Sequence, residues 1–181
     1  TKTSKDRVKP KCPVYDTWGG CALQHMTYEA QLELKKTRVE ECLKRIGGFK
    51  NIKVNDTVGM DEPYFYRNKI QMPIRLSKRG KIISGFYQEK THDIAPIDKC
   101  YLENSDADRI LASIKEVMRQ VKVMPYDEDR RTGVIRHVLI RTSYHFDEIM
   151  VVLVCNKDTF PGQKNFVKEL IKKEPMITTI V

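Results

Sequence analysis

Apolar residues recur at helical spacing in three segments of the chain, and each segment is predicted to form a helix with one buried face. We expect these helices at 28–46, 106–121 and 162–173. Thr27 is a suitable N-cap for the first helix, and Gly47-Gly48 should end it. Its buried stripe would comprise Leu32, Val39, Leu43 and Ile46.

Other segments alternate between apolar and polar residues, which is typical of β-strands. Strands are predicted at 64–76, 81–88, 133–143, 148–156 and 176–181. Short turns at 77–80 and 144–147 join two pairs of these strands, which favours antiparallel pairing within each pair. The predicted fold is therefore α+β: a mainly antiparallel sheet with packed helices, plus an N-terminal cysteine loop and helix. Ser105 and Asp108 are expected to form a capping box on the second helix.

The strand at 64–76 would have two different faces. Its even-numbered positions are mostly apolar and are expected to cover a core. Its odd-numbered face carries Arg67, Lys69, Gln71 and Arg75. Guanidinium, ammonium and amide groups on an exposed strand suit the phosphates and 2′-hydroxyls of RNA. The alternative is an ordinary solvated sheet face.

Composition supports a polyanionic partner without requiring one. The chain has 181 residues, a net charge of +9 and a pI near 9.3. This length suits one ordinary domain with a small satellite. A basic balance favours nucleic acid, although it also describes a solubilising surface. No apolar run approaches the ~20 residues of a membrane helix, so we expect no membrane partner.

The chain is expected to divide into a basic linker or tail (1–11), a cysteine-loop and helix subunit (12–60) and a central α/β RNA-binding domain (61–181). A strand that stops at Val181 without a polar tail would leave an unpaired edge, so we expect the natural chain to continue. The odd cysteine count indicates a reducing, cytoplasmic location. A monomer is expected.

Three cysteines are candidates for a metal site. Cys12 and Cys21 flank a Gly-Gly turn, and Cys100 follows a predicted strand. Thiolates around such a turn can hold an iron–sulfur cluster or zinc, although a cluster usually has four. The alternative is three reduced structural cysteines. Gln24 and His25 follow this loop; either they read an unstacked base or they cap the entry to the first helix.

Several motifs resemble the TrmA/RumA family of RNA uracil-C5 methyltransferases. Cys12-Pro13 through Gly19-Gly20-Cys21 and then Gln24-His25 resembles the family's cysteine signature. The 62–69 stretch resembles its Tyr-Arg-x-Lys strand, so the resemblance implies that Tyr66, Arg67, Asn68 and Lys69 face RNA. The stretch from Gly85 to Cys100 resembles the hairpin that ends in the fourth cluster cysteine. Within the family, the resemblance is to the RumA- or RlmCD-like 23S rRNA branch.

The resemblance implies methyl transfer from S-adenosylmethionine to C5 of a uridine in 23S rRNA, which makes 5-methyluridine. It covers the family's central domain; neither the TRAM domain nor the methyltransferase domain, with its nucleophile and base, is recognised in these residues. No catalytic residue is therefore assigned, and the chain alone should be inactive. Trp18 occupies the place of a cluster cysteine, so we favour a metal-free loop in which the Trp18 indole fills the cluster's volume.

Two other functions are compatible with the same residues. One is a metal or redox module held by the three cysteines, which would carry stoichiometric metal. The other is a protein-interaction domain whose basic face meets an acidic protein, which would bind RNA weakly.

Overall fold

A computed structural model describes residues 2–91 and 93–181. The chain forms two compact units, residues 1–63 and 64–181, which are described separately below. Among the described residues, every helix is too short or too polar to cross a membrane.

The first unit consists of a cysteine loop and a long helix. The loop contains a short helix, α1 (Tyr15–Trp18), and the long helix is α2 (Tyr28–Arg45). The predicted cap is confirmed, because the Ala30 N–H donates to Oγ1 of Thr27 at 3.3 Å. Main-chain bonds join 6–8 to 25–27, so this part of the predicted basic tail is paired with the start of α2.

The predicted buried stripe of α2 is wrong. No residue of this helix is buried within the described chain, and Val39 and Ile46 are 49% and 85% exposed. Helical spacing identifies residues that share a face, but another element must cover that face before they are buried. In this unit the 47–60 segment contacts α2 near Leu32, where Thr57 Oγ1 donates to the carbonyl oxygen at 2.9 Å.

The second unit is a six-stranded sheet with two helices, which confirms the α+β fold. Its strands are β1 (Lys69–Leu76), β2 (Ile82–Tyr87), β3 (Ile94–Pro96), β4 (Ile135–Thr142), β5 (Ile149–Cys155) and β6 (Ile177–Ile180). The helices are α3 (Ser105–Gln120) and α4 (Gln163–Lys173). The strand order is β3-β2-β1-β4-β5-β6. All pairs are antiparallel except β5 with β6.

The core of this unit lies on one side of the sheet. Ile70 and Met72 of β1 pair with Ile140 and Val138 of β4, and all four side chains are buried. This core is completed by the buried side chains of α3 and by Phe166 and Leu170 of α4. The apolar side of the sheet is thus enclosed by helices.

The strand predicted from residue 64 begins only at Lys69. Phe65 has a φ of 53°, which is unusual for an aromatic residue and interrupts the extended chain. The N–H groups of Phe65 and Arg67 donate instead to the carbonyls of Tyr101 and Leu102, at 2.9 and 2.8 Å. Alternation alone did not reveal this change of partner.

The capping box predicted for α3 is also wrong. Asn104 is the N-cap, and its side chain accepts from the Asp106 N–H at 2.8 Å. Asp108 accepts from the Cys100 N–H at 3.1 Å and so holds the preceding loop. Asn is as good an N-cap as Ser, and α3 begins one residue earlier than predicted.

The C-terminal strand is not unpaired. β6 lies parallel to β5, with Ile177 opposite Ile149 and Ile180 opposite Val151. The N–H of Val181 also donates to the Val151 carbonyl at 2.9 Å. The expected free strand is therefore an outer member of the sheet.

Phe166→Ala should lower the free energy of unfolding by about 3–5 kcal/mol, because this fully buried ring would leave a cavity. Urea denaturation followed by circular dichroism measures the change. Phe146→Ala, which removes the same atoms from a ring that is 70% exposed, is the matched control and should shift stability by about 0.5 kcal/mol or less. Equal effects of the two changes would contradict the location of the core.

Candidate nucleic-acid interface

The side of the sheet away from the helices is polar and basic at one end, and we call it the open face. The pairing of the strands shows which side chains lie on this face, because directly opposite residues in adjacent strands point to the same side of the sheet. Lys69 lies opposite Arg141, and Gln71 lies opposite Leu139. Lys69, Gln71 and Arg141 are exposed, whereas Leu139 is half-buried. The open face is defined here by Lys69, Gln71, His137, Leu139, Arg141, Met150 and Val152.

The segment before β1 is exposed next to the basic end of the open face. Tyr66 is 51% exposed, and Asn68 is exposed. The Asn68 carbonyl accepts from the Thr142 N–H at 2.8 Å, which ties this segment to the end of β4. Arg67 is half-buried. Tyr66, Asn68, Lys69 and Gln71 are thus all exposed, but only Lys69 and Gln71 belong to the open face. Asn68 is the partner of the buried Thr142, so alternation turns its side chain to the other side of the strand.

Arg75, the last predicted RNA-binding residue of β1, has protein partners. Its guanidinium lies 3.4 Å from the Tyr87 hydroxyl and 3.7 Å from a Glu128 oxygen. Glu128 also accepts from Arg136 at 2.9 Å. The neighbouring groove contains Asp93, Asp127 and Asp129 as well as Glu128, so it suits a polyanion less well than the basic end does.

A β-bulge explains the position of Arg136. The β4–β5 register shifts between Ile135 and His137, so both Ile135 and Val138 face the core. Arg136 is thereby kept out of the core, and its guanidinium stacks 4.4 Å from the centre of the Tyr126 ring. Burial, with Arg75 and Arg136 nearby, lowers the pKa of His137, so this open-face side chain is neutral at pH 7.

A buried carboxyl lies behind the basic edge. Glu103 is 2% exposed, and burial raises its pKa to about 7, with a further rise from Asp108 and an opposing effect of Arg67. One of its oxygens has no hydrogen-bond partner within the described residues. Arg67 is held in place by main-chain bonds on both sides of Glu103, to Leu102 and from Asn104. The protonation state of Glu103 therefore changes the potential at Arg67.

Gln24 and His25 support the cysteine loop of the first unit. The Cys12 N–H donates to Oε1 of Gln24 at 3.1 Å. His25 Nδ1 and the Tyr15 hydroxyl are 2.8 Å apart. Neither residue caps α2, because Thr27 does so. These contacts indicate a structural role, and contact with a base stays a prediction.

The cysteine loop does not fit a family-type cluster of four cysteines. Cys12 and Cys21 are buried in the first unit, and a Cβ at Gly20 would overlap the Trp18 indole, so that ring occupies the space beside the Gly-Gly turn. Cys100, in the second unit, has its pKa raised to about 11 by burial and then by Glu103. Within the described chain there is no group of three His, Cys, Asp or Glu residues that could hold a metal.

Comparison with known proteins relates the chain to enzymes that modify RNA. It is 38% identical over 177 residues to an uncharacterized RNA methyltransferase of Staphylococcus aureus strain COL, covering 98% of this chain and 39% of the relative. An uncharacterized RNA methyltransferase of Halalkalibacterium halodurans is 39% identical over 180 residues, with 99% and 39% covered. The chain is a homologue of part of these RNA methyltransferases. No family profile matches it.

A solved structure supports the uracil-C5 resemblance. The tRNA (uracil-54, C5)-methyltransferase of Pyrococcus abyssi, in complex with S-adenosyl-L-homocysteine, superposes with a TM-score of 0.63 at 28% identity. The match covers 91% of this chain and 36% of that one. The resemblance to the RNA uracil-C5 methyltransferase family is thus confirmed. The chain spans 39% of the length of the curated relatives named here.

Sequence reasoning missed the residues that surround the candidate edge. The position of Arg141 opposite Lys69 depends on the β1–β4 register, which the sequence pattern does not give. Glu103 and the Glu128 ion pairs come from loops with no regular pattern. The sequence around an isolated acid in a loop does not indicate whether it is buried, so these contacts could be identified only from the tertiary structure.

Glu103→Gln should change how stability depends on pH. The pKa of this carboxyl is about 7 when folded against an ordinary 4.5, so only the folded state keeps the proton between these values. The wild-type free energy of unfolding therefore falls as pH rises through this window, on the order of 2 kcal/mol. The variant should lack this loss, as urea denaturation at pH 5 and pH 8 would show.

Glu89→Gln, at an exposed surface position, is the control for Glu103→Gln and should follow the wild-type pH dependence. An unchanged pH dependence in Glu103→Gln would contradict the assigned protonation of the buried carboxyl.

The cysteine loop should fold without metal. We expect much less than one iron or zinc per purified chain, measured by elemental analysis, because Trp18 rather than a thiolate occupies the turn. Trp18→Cys, which restores the family spacing, should raise iron uptake after anaerobic reconstitution. Stoichiometric iron in the wild-type chain, lost in Cys12→Ser and Cys21→Ser, would contradict the metal-free loop.

Proposed function

We propose that this chain is the RNA-recognition domain of an S-adenosylmethionine-dependent 23S rRNA methyltransferase that converts a uridine to 5-methyluridine. The observation that carries the proposal is the exposed basic edge formed by Lys69 and Arg141 at the end of an open sheet face. The relationship to RNA methyltransferases supports RNA as the polyanion.

The chemistry of this edge suits an RNA backbone. Lys69 and Arg141 supply adjacent positive charges that attract phosphates. Gln71 is an exposed amide on the same face, which can donate to or accept from a 2′-hydroxyl or a base edge. Asn68 is exposed at the end of the strand and could reach only RNA that passes around this end. Arg67 adds a further cation whose effect depends on Glu103. These residues would grip and orient RNA rather than transform it.

The open face also carries half-buried apolar side chains, which adjoin the basic edge. Leu139, Val152 and Met150 lie in the rows of Gln71 and Lys69. Apolar side chains between cations can pack against the faces of unstacked bases. A uridine must leave its stack before an enzyme can reach C5, so a domain that holds locally opened RNA would assist the reaction.

The parent enzyme would supply the methyl donor and the reacting groups outside these residues. S-adenosylmethionine provides the methyl group in that reaction. Burial raises the pKa of the Cys100 thiol to about 11 and also raises that of Cys155. Both therefore stay protonated at pH 7, which disfavours them as nucleophiles. We expect the 181-residue chain to bind RNA without methylating it.

Binding of this chain to an rRNA stem–loop should weaken as salt increases, because bound phosphates release counterions. The charge-removing variant Lys69→Gln/Arg141→Gln should bind at least about tenfold more weakly at low salt. Its plot of log affinity against log salt should be shallower by about 1–2, since each phosphate contact contributes about 0.7–0.9. Fluorescence anisotropy measures both quantities.

Lys164→Gln/Lys168→Gln is the matched control, because it removes two exposed charges from α4 on the opposite side of the sheet. It should retain most of the wild-type affinity. Equal losses in the two variants would indicate a dependence on net charge alone and would contradict the proposed interface. Wild-type binding that is weak and insensitive to both variants would favour the protein-interaction alternative.

A further inference from the structure

The turn between β4 and β5 exposes two aromatic rings. We call residues 143–148 the aromatic tip. Tyr144 is 89% exposed and Phe146 is 70% exposed, the highest values among the Phe, Tyr and Trp side chains that the structure describes. Two large rings exposed on one short turn form an apolar patch of the kind at which partners bind. The aromatic tip is therefore a candidate contact site.

Local hydrogen bonds give the aromatic tip a defined shape. The Ser143 N–H donates to the Glu148 carbonyl at 2.9 Å, and the Phe146 N–H donates to Ser143 Oγ at 3.1 Å. The Glu148 N–H also donates to the Phe146 carbonyl at 2.8 Å. The Tyr144 and His145 rings meet edge to face, with their centres 5.1 Å apart. The rings are thus displayed by an ordered turn.

The aromatic tip adjoins the basic edge of the open face. Arg141, which lies opposite Lys69, is two residues before the tip. The Asn68 carbonyl accepts from the Thr142 N–H at 2.8 Å, directly next to Ser143. A strand of RNA bound at Lys69 and Arg141 would therefore pass close to the exposed rings.

Charges on the aromatic tip favour bases over phosphates. Asp147 and Glu148 are exposed and repel a phosphate backbone. Lys69 and Arg141, at the foot of the tip, attract the same backbone. This arrangement would hold phosphates at the edge and direct bases towards the rings. Exposed aromatic rings stack on unpaired bases whatever their sequence.

We propose that Tyr144 and Phe146 form a stacking site for unpaired bases of the RNA, and this inference rests on the proposed function. It assigns the aromatic tip the role of selecting single-stranded or opened RNA, whereas the basic edge supplies attraction without regard to base pairing. The two contributions have different physical signatures: stacking adds affinity with little salt dependence, and phosphate contacts add affinity that depends on salt.

The test compares an RNA stem–loop that carries 2-aminopurine in its single-stranded loop with a duplex of the same sequence. Both are titrated with the 181-residue chain across a salt series. The variants are Tyr144→Ala/Phe146→Ala, Tyr144→Trp and Lys69→Gln/Arg141→Gln. Circular dichroism verifies that each variant is folded, which is expected because both rings are exposed.

Tyr144→Ala/Phe146→Ala should weaken binding of the loop about fivefold to a hundredfold, with an unchanged salt slope and loss of 2-aminopurine quenching. Its affinity for the duplex should change little. Tyr144→Trp should retain the quenching, because indole also stacks. Lys69→Gln/Arg141→Gln should instead reduce the salt slope for both RNAs.

Wild-type loop affinity and quenching in Tyr144→Ala/Phe146→Ala would overturn the stacking site and leave the RNA-recognition function standing. Failure of the wild-type chain to bind either RNA would overturn both. A wild-type chain that self-associates in analytical ultracentrifugation, with loss of association in the alanine variant and unchanged RNA binding, would assign the rings to contact between copies of the chain.

Discussion

The antiparallel pairing of β1 with β4 determines what each side of the sheet presents. Side chains alternate along a strand, so burying Ile70 and Met72 against the helices leaves Lys69 and Gln71 on the other side. The same register brings Arg141 opposite Lys69. A shift by one residue would expose the core and bury the cations. Core packing therefore fixes the positions of the charges on which the proposed function depends.

The regular elements were predictable from the sequence because their periodicity follows from burial on one side. The buried stripe of α3 and the alternation from Lys69 to Met72 show this directly. Elements with too few residues to establish a period were missed, namely α1 with four residues and β3 with three. The bulge that turns Arg136 towards Tyr126 depends on how β4 packs in the folded protein, so it could not be predicted from the sequence pattern of β4.

The candidate site was predictable in part. The 66–71 stretch was identified by its charges and by resemblance, and four of its residues are exposed, of which Lys69 and Gln71 lie on the open face. The side chains of Arg75 and Gln24 also make hydrogen bonds within the protein, and their contact with RNA stays a prediction. Composition shows that a polar group is present, but only the fold shows whether another part of the chain is its partner.

The basic edge combines long-range attraction with contacts that depend on local structure. Lys69 and Arg141 are exposed, whereas Arg67 lies beside the buried carboxyl of Glu103, whose pKa is about 7. A change in the protonation of Glu103 would therefore change the potential at Arg67. In the proposed interface, RNA would meet the cations Lys69 and Arg141 next to an Arg67 whose local potential depends on Glu103.

The most direct test of the account is to locate the RNA on the chain. Ultraviolet crosslinking of the 181-residue chain to an rRNA stem–loop, followed by mass spectrometry, identifies the peptides in contact. We predict crosslinks in peptides that contain 66–71 and 137–146, and none in α3 or α4. Crosslinks concentrated in the helices, with the open face unmodified, would contradict the placement of the RNA interface on the sheet.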